Sequence, residues 1–377
     1  MVPQDDTLRL LRESVRRFVE NEVLPHGAAW EQQGFVPREV LRRMGSLGFL
    51  GLRHPELYGG SGLDARATAV LAEELGRSSF GGFAVTVLVH TDMASPHLAN
   101  AGSPAQLGRY LPAVIAGENI TAVAVTEPDA GSDVRAIRAT ARRDGAQYVL
   151  NGTKMFITNG VHADLYFVAA KTDPAAGAKG ISMLIVEKGA PGFSVARPLD
   201  KLGWRSSDTA ELVFQDCRLP AANLLGEEGR GFYAIMRNFQ NERIALSAMA
   251  MGEAAKALEI TLDYVKGRKA FGAPLWDKQA IRQRLAMLAA QIDAGRQLVA
   301  HAASLDAQGR DCVKEVSMVK AYCGELVNRV MYDCTQFHGG FGCMREAAIE
   351  RMFRDARIQS IGGGTTEVML EEIAKRL

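Results

Sequence analysis

The chain of 377 residues carries 44 Lys and Arg against 43 Asp and Glu, and 47% of it is apolar. That length points to two or three domains, and that composition excludes disorder as the default. The even charge gives no electrostatic reason for nucleic acid or an anionic membrane surface, and no apolar run approaches the roughly 18 residues that span a bilayer.

The N-terminus, Met1-Val2-Pro3-Gln4-Asp5-Asp6, is acidic and no apolar stretch follows it, so no secretory signal is expected. Leu8, Leu11, Val15, Phe18 and Val19 have helical spacing, and Pro25 with Gly27 ends that run. A second helix is predicted over Arg38 to Leu47, then a turn at Gly59-Gly60-Ser61-Gly62. Asp64 is placed to cap a helix running to about Leu75, since its carboxylate can accept free N–H groups of the first turn. Phe83 to Ala101 and Pro104 to Ala116 read as two more helices. From Ile120 the pieces become short and β-branched or aromatic: Thr121 to Thr126, Gln147 to Leu150, Lys154 to Thr158, Tyr166 to Ala170, Ile181 to Val186 and Ala210 to Phe214. Gly, Asn, Asp and Pro punctuate them, which indicates an antiparallel β domain. Long amphipathic stretches then cover Phe232 to Lys266, Lys278 to Asp306, Cys312 to Gln336 and Arg345 to Ala356, with a last helix from Thr366. The expected fold is α+β and mostly α. It has an N-terminal helical domain (1–119), a middle antiparallel β domain (120–227) and a C-terminal antiparallel four-helix bundle (228–377).

Of the five cysteines, Cys312, Cys323 and Cys334 recur every eleven residues, about three helical turns, and so share a face; Cys217 and Cys343 stand apart. No Cys-x-x-Cys occurs. The expectation is free thiols packed as small hydrophobes in a reducing cytoplasm, with no metal site. There is no Gly-x-Gly-x-x-Gly between strand and helix, no Gly-x-x-x-x-Gly-Lys-Ser/Thr and no His-Glu-x-x-His. Gly362-Gly363-Gly364 taken alone is a loop. Glu242 falls on the apolar stripe of Ile235, Phe239, Leu246 and Met249. A carboxylate there is costly to bury, and burial would raise its pKa toward that of a base working near neutrality. An interhelical salt bridge to an arginine is the competing reading of the same residue.

Four segments in order resemble the acyl-CoA dehydrogenase family, over nearly the whole chain. Val125-Thr126-Glu127-Pro128-Asp129-Ala130-Gly131-Ser132-Asp133 resembles its flavin loop. Phe156-Ile157-Thr158-Asn159 resembles its Trp-Ile-Thr-Asn strand, with Phe for Trp. Arg268-Lys269-Ala270-Phe271-Gly272 with Gln279 resembles its Arg-x-x-Phe-Gly and Gln pair. Gln336-Phe337-His338-Gly339-Gly340-Phe341-Gly342 resembles its Gln-x-x-Gly-Gly-x-Gly turn. The resemblance implies FAD between β domain and bundle, in a homotetramer built as a dimer of dimers. By the resemblance, Thr126 serves the flavin pyrimidine edge, Thr158 the hydride-accepting N5, and Phe156 the ring system. Gly131 and Ser132 let backbone approach the pyrophosphate. Arg268 and Phe271 reach the FAD of a neighbouring subunit, whose adenine end Gln279, Gln336, Gly339 and Gly340 line. Thr365 and Glu367 are further cofactor contacts. Ser132, Tyr233, Phe239, Arg243 and Gly364 are implied substrate contacts.

One departure is informative. Most members place the base in Tyr-Glu-Gly-Thr before the last helix, where this chain has Ile361-Gly362-Gly363-Gly364-Thr365. Gly363 stands at the usual Glu position. A branch that includes isovaleryl-CoA and long-chain acyl-CoA dehydrogenases places the base on the long bundle helix in a Glu-Arg pair, and Glu242-Arg243 matches it. The resemblance therefore assigns the α-proton to Glu242 and the β-hydride to flavin N5, giving a trans-2-enoyl-CoA. The Gly363 backbone N–H is kept as oxyanion donor. Arg243, about 100° around the helix from Glu242, is expected to serve loop or ligand contacts. The two glycines Gly362 and Gly363 suggest room for branched acyl groups. Other expectations on the same residues are an acyl or aminoacyl group on a carrier protein, an oxidase, a silent flavoprotein, and a nucleic-acid-binding member that the charge disfavours. An electron-transfer flavoprotein is the implied electron acceptor.

Overall fold

The helical spacing of Leu8, Leu11, Val15 and Phe18 becomes α1 (Gln4–Phe18) in the computed structural model, which describes residues 4–377. Met1-Val2-Pro3, the start of the stretch read against a secretory signal, lie outside the described residues. A wider π turn over Val19–Val23 continues α1, and α2 (Gly27–Gln33) and α3 (Arg38–Ser46) follow. Asp64 caps α4 (Ala65–Gly76), accepting Arg66 N–H at 2.9 Å. A π turn over Val89–Ala94 joins α5 (Gly81–Leu88) to α6 (Ser95–Ala101) where a single helix was predicted. A capping box between Ser103 and Gln106 starts α7 (Pro104–Ile115).

The sheet comprises β1 (Thr121–Ala124), β2 (Thr140–Asp144), β3 (Gln147–Thr158), β4 (Leu165–Lys171), β5 (Ile181–Glu187), β6 (Phe193–Pro198), β7 (Thr209–Pro220) and β8 (Leu224–Leu225). Its order is β6-β7-β3-β2-β4-β5-β8, with β1 also on β4. Most pairings are antiparallel, as the turn chemistry predicted. The exception that matters is β1, which runs parallel to β4 with Thr121 opposite Leu165. This is possible because some forty residues, including the flavin-like loop and the β2–β3 hairpin, separate the two strands in sequence. The two short runs predicted at Gln147 and Lys154 are one strand, bent by register shifts at Leu150/Gly152 and Lys154/Ile157.

The remaining elements are α8 (Gly231–Gly267), the hairpin β9 (Lys269–Ala270) and β10 (Ala273–Pro274), α9 (Gln279–Ala307), α10 (Val313–His338), α11 (Ala348–Ala356) and α12 (Thr366–Ala374). Two glycines explain how α8 reaches the N-terminal helices. A Cβ on Gly76 would meet Met249 O at 2.3 Å, and one on Gly252 would meet Glu73 O at 2.0 Å. Only residues without Cβ let these two backbones touch. Ile244 to Ala254 of α8 are accordingly buried on all sides, between α4, α9 and α10. Four cysteines are buried free thiols as expected; Cys343 is instead exposed, because it sits in the turn after α10. Among the described residues no helix is long and apolar enough to cross a membrane.

Candidate active site

Glu242 lies on the fourth turn of α8 and is 7% exposed. No arginine pairs with it across helices among the described residues, which removes the salt-bridge reading. Asn238, one turn earlier, donates from Nδ2 to Glu242 Oε1 and to Met93 O, both at 2.9 Å. Asn241 donates to Asp92 O at 2.7 Å, and Arg53 joins Asn241 Oδ1 (2.5 Å) to Asp306 (2.8 Å). The π turn thus presents its carbonyls to amides of α8. Burial pushes the Glu242 carboxyl up to about 7, against smaller opposing effects of the Asn238 amide and the Arg243 charge.

The loop between α11 and α12 packs on α8 at Arg243 and Leu246, one and four residues after Glu242. Arg243 Nε donates to Gly363 O at 3.3 Å, and its guanidinium lies 5.3 Å from the centre of the Phe239 ring. Gly363 and Gly364 have φ of +68° and +105°. A Cβ on Gly363 would meet Leu246 Cδ1 at 2.5 Å. The room that Gly363 was expected to leave for branched acyl groups is therefore already filled by Leu246. Only Gly362 is open, with Ile358 its nearest neighbour at 3.7 Å. Among the described residues the Gly363 N–H donates to no acceptor of the chain, whereas the N–H of Gly362 is bonded to Ile358 O at 2.8 Å.

On the sheet, Thr126 O accepts Met155 N–H (2.9 Å), and Glu127 and Ala130 exchange two backbone bonds that close the loop. Lys154, fully buried, donates to Val125 O (2.9 Å) and Glu127 Oε1 (2.8 Å). Phe156 sits at the bulge with φ of +60° and is 67% exposed. A left-handed, outward-facing aromatic is a costly arrangement that this chain alone does not reward. Gly131 and Ser132 are exposed, and a Cβ on Gly131 would meet nothing within 4 Å. Thr158 is half-buried at the end of β3. An exposed aromatic at the bulge and a loop glycine with open space around it fit a flat cofactor with a phosphate tail.

The second set gathers elsewhere. Arg268 ends α8, Phe271 tops the β9–β10 hairpin at 97% exposure with φ of +54°, and Gln279 starts α9. Gln336, Gly339 and Gly340 are exposed nearby, since Tyr264 Oη donates to His338 O at 3.3 Å. From Glu242 to Arg268 is 26 helical residues, about 39 Å at the ordinary rise. Arg268 and Glu242 thus stand far apart on the one helix. Thr365 caps α12, accepting Val368 N–H, and with exposed Glu367 borders a 290 Å³ cavity between α10 and α12. Tyr233 is 42% exposed, with the Arg230 guanidinium over its ring. A cavity of 530 Å³ lies between α1, α4, α8 and α9 and does not include Glu242. Asn238 and Lys320 escaped the sequence reading. Lys320 lies on the stripe of Val316, Cys323 and Val327, so the argument that singled out Glu242 applied to it equally.

Helices, a sheet and helices again, with a carboxyl buried on the long helix of the second helical part, define the class of fold. The three family models for the acyl-CoA dehydrogenase N-terminal, middle and C-terminal domains match residues 5–118, 122–217 and 229–377. The chain belongs to the acyl-CoA dehydrogenase family and is an oxidoreductase of that class. It is 42% identical over 370 residues to the mitochondrial long-chain specific acyl-CoA dehydrogenase of Sus scrofa, covering 98% of this chain and 86% of that one. It is 39% identical over 375 residues to the mitochondrial isovaleryl-CoA dehydrogenase of Oryza sativa subsp. japonica, covering 99% and 91%. The crystal structure of acyl-CoA dehydrogenase from Geobacillus kaustophilus superposes with a TM-score of 0.94 at 42% identity, covering 98% and 97%.

Proposed function

We propose that the protein oxidises an acyl-CoA thioester to its trans-2-enoyl-CoA, with Glu242 as the base. The observation that carries this reading is the buried, near-neutral Glu242 carboxyl on α8, whose neighbour Arg243 is tied to the loop that presents the free Gly363 N–H. A carboxylate held in an apolar site is a stronger base than one in water, and an α-proton demands that strength. Asn238 fixes one oxygen of the carboxyl, so the other is directed at the substrate. The Gly363 N–H would donate to the thioester oxygen and stabilise the charge that grows there as the α-proton leaves. Arg243, tied to Gly363 O, would keep that peptide in place, and Phe239 and Tyr233 would line the way for the acyl thioester, with Gly364 and Ser132 at its edges.

The fit of the sheet face supports FAD. Bound there, FAD supplies the hydride acceptor at N5. Thr126 and Thr158 would bond its polar edge, Phe156 would cover the ring, and Gly131 would admit the pyrophosphate. Arg268, about 39 Å from Glu242 along α8, would with Phe271, Gln279, Gln336, Gly339 and Gly340 complete the FAD site of a neighbouring copy. That division of labour is the support for a homotetramer of paired dimers. Thr365 and Glu367 would contact the cofactor at the start of α12. The proposed acceptor of the electrons is an electron-transfer flavoprotein, and the proposed location the cytoplasm.

Anaerobic bleaching of the flavin by a panel of acyl-CoAs, for wild type and Glu242→Gln, tests the reading. Loss of the base is expected to slow bleaching at least ~10²-fold. Bleaching that survives the substitution moves the base elsewhere. A wild type that only carrier-protein thioesters reduce changes the substrate and keeps the base.

A further inference from the structure

Lys320 lies on the apolar stripe of α10 and is 2% exposed. An ammonium in such a place is unstable unless hydrogen bonds replace its hydration. Its Nζ donates to Gln359 O at 2.5 Å and to Gly364 O at 3.4 Å. Two main-chain carbonyls from the start and end of the segment that carries Gly363 therefore converge on one charge. Gly324, one turn along α10, completes the seat, since a Cβ there would meet Gln359 O at 2.8 Å. From the α8 side, Arg243 holds Gly363 O.

The flanks of this loop are also tied, Gln359 Nε2 donating to Glu253 at 3.1 Å and Thr366 Oγ1 to Glu325 at 2.6 Å, but its centre is held by few main-chain bonds. After the Gly362 N–H bond to Ile358, no regular backbone ladder runs through Gly363 and Gly364, and both residues occupy left-handed conformations. The direction of the Gly363 N–H is then set by whatever fixes the carbonyls around it. A carbonyl and the N–H of the next residue belong to one rigid plane, so fixing the flanking peptides limits the rotation of those between them. The carbonyl ties from Lys320 and Arg243 differ in kind. Arg243 is part of the substrate-facing wall, whereas Lys320 lies behind the loop, where no ligand need reach.

Resting on the dehydrogenation reading above, we propose that the Lys320 ammonium is the clamp that sets the Gln359–Gly364 loop and, through it, aims the Gly363 N–H at the thioester oxygen. Lys320 is thus a positioning residue that acts through the loop. Stabilisation of a developing oxyanion depends steeply on donor geometry, so a loosened loop loses rate while substrate still binds.

The test compares FAD-loaded wild type with Lys320→Met, which keeps the stem and removes the donors, and with Lys320→Gln, which keeps an N–H without the charge. Two quantities are read: amide hydrogen exchange of the Ile361–Thr366 segment, and single-turnover flavin reduction over a range of acyl-CoA concentrations. The expected result for Lys320→Met is loop exchange at least ~10-fold faster and a limiting reduction rate ~10- to 100-fold lower. The acyl-CoA concentration for half-saturation is expected to stay within about threefold, since the loss falls on the transition state. Lys320→Gln should lie between, and carries the comparison if Lys320→Met does not fold. Unchanged loop exchange overturns the clamp, and so does faster exchange with an unchanged reduction rate. A wild type that no acyl thioester bleaches refutes the dehydrogenation reading instead, and the exchange comparison alone then decides the clamp.

Discussion

As the proposed base, Glu242 has to be ionised to accept a proton, and burial raises its carboxyl from 4.5 to about 7. The kcat/KM for acyl-CoA oxidation should therefore rise through about pH 7 and level off above it, as a pH-rate profile will show. The Asn238 amide favours the ionised form, so Asn238→Ala should move that midpoint upward and lower activity most below pH 7. The same shift has a consequence for stability. Between pH 4.5 and about 7 the folded protein binds the Glu242 proton more tightly than the unfolded chain does. Its stability therefore falls as pH rises through that window, and the ionised form carries a cost on the order of 3 kcal/mol. Glu242→Gln removes the cost, so the variant should melt higher than wild type at pH 8 and alike near pH 4.

At the scale of elements, the meeting of α8 with the α11–α12 loop is a fitted contact. Gly363 combines a left-handed backbone with a neighbour, Leu246, already in the space a side chain would need. Gly363→Ala should lose about 1–3 kcal/mol, the sum of backbone strain and overpacking. In a Leu246→Ala background the overpacking part should vanish and the strain remain. Urea unfolding of the four proteins in that cycle separates the two contributions. Equal losses in both backgrounds would show that Leu246 gives way without resistance.

Across the whole molecule, Asp355 ties all three parts together. Its carboxylate, buried in α11, accepts Trp204 N–H at 2.6 Å from the β6–β7 connection and Gly81 N–H at 3.1 Å at the start of α5. Asp355→Ala would strand two buried donors and should cost about 2–4 kcal/mol, readable as a lower thermal midpoint. Arg268 tests the assembly. If it serves a neighbour's cofactor, Arg268→Gln should weaken FAD retention about tenfold or more on dilution. It should do so with flavin reduction in fully loaded protein nearly unchanged, because Glu242 is about 39 Å away along its own helix. A loaded protein that reduces slowly would place Arg268 at the reacting end after all.

The order of helical, β and helical segments was legible in the sequence, because the spacing of apolar residues and the placing of Gly, Pro and Asp are local properties. The cap at Asp64 and the apolar stripe on α8 followed from such patterns, whereas the Gly363 departure, and with it the choice of Glu242 as base, came from the resemblance to the family. What the chain could not disclose depends on neighbours distant in sequence. The parallel run of β1 beside β4, the filling of Gly363's space by Leu246 and the meeting of Asp355 with Trp204 and Gly81 each join segments many residues apart. The near-neutral Glu242 carboxyl also belongs to the tertiary structure, since periodicity can put a carboxyl on a buried stripe but only packing removes its water. Lys320 marks the boundary between the two. Its place on an apolar stripe was visible in the sequence, whereas the carbonyls it holds are brought to it only by the fold.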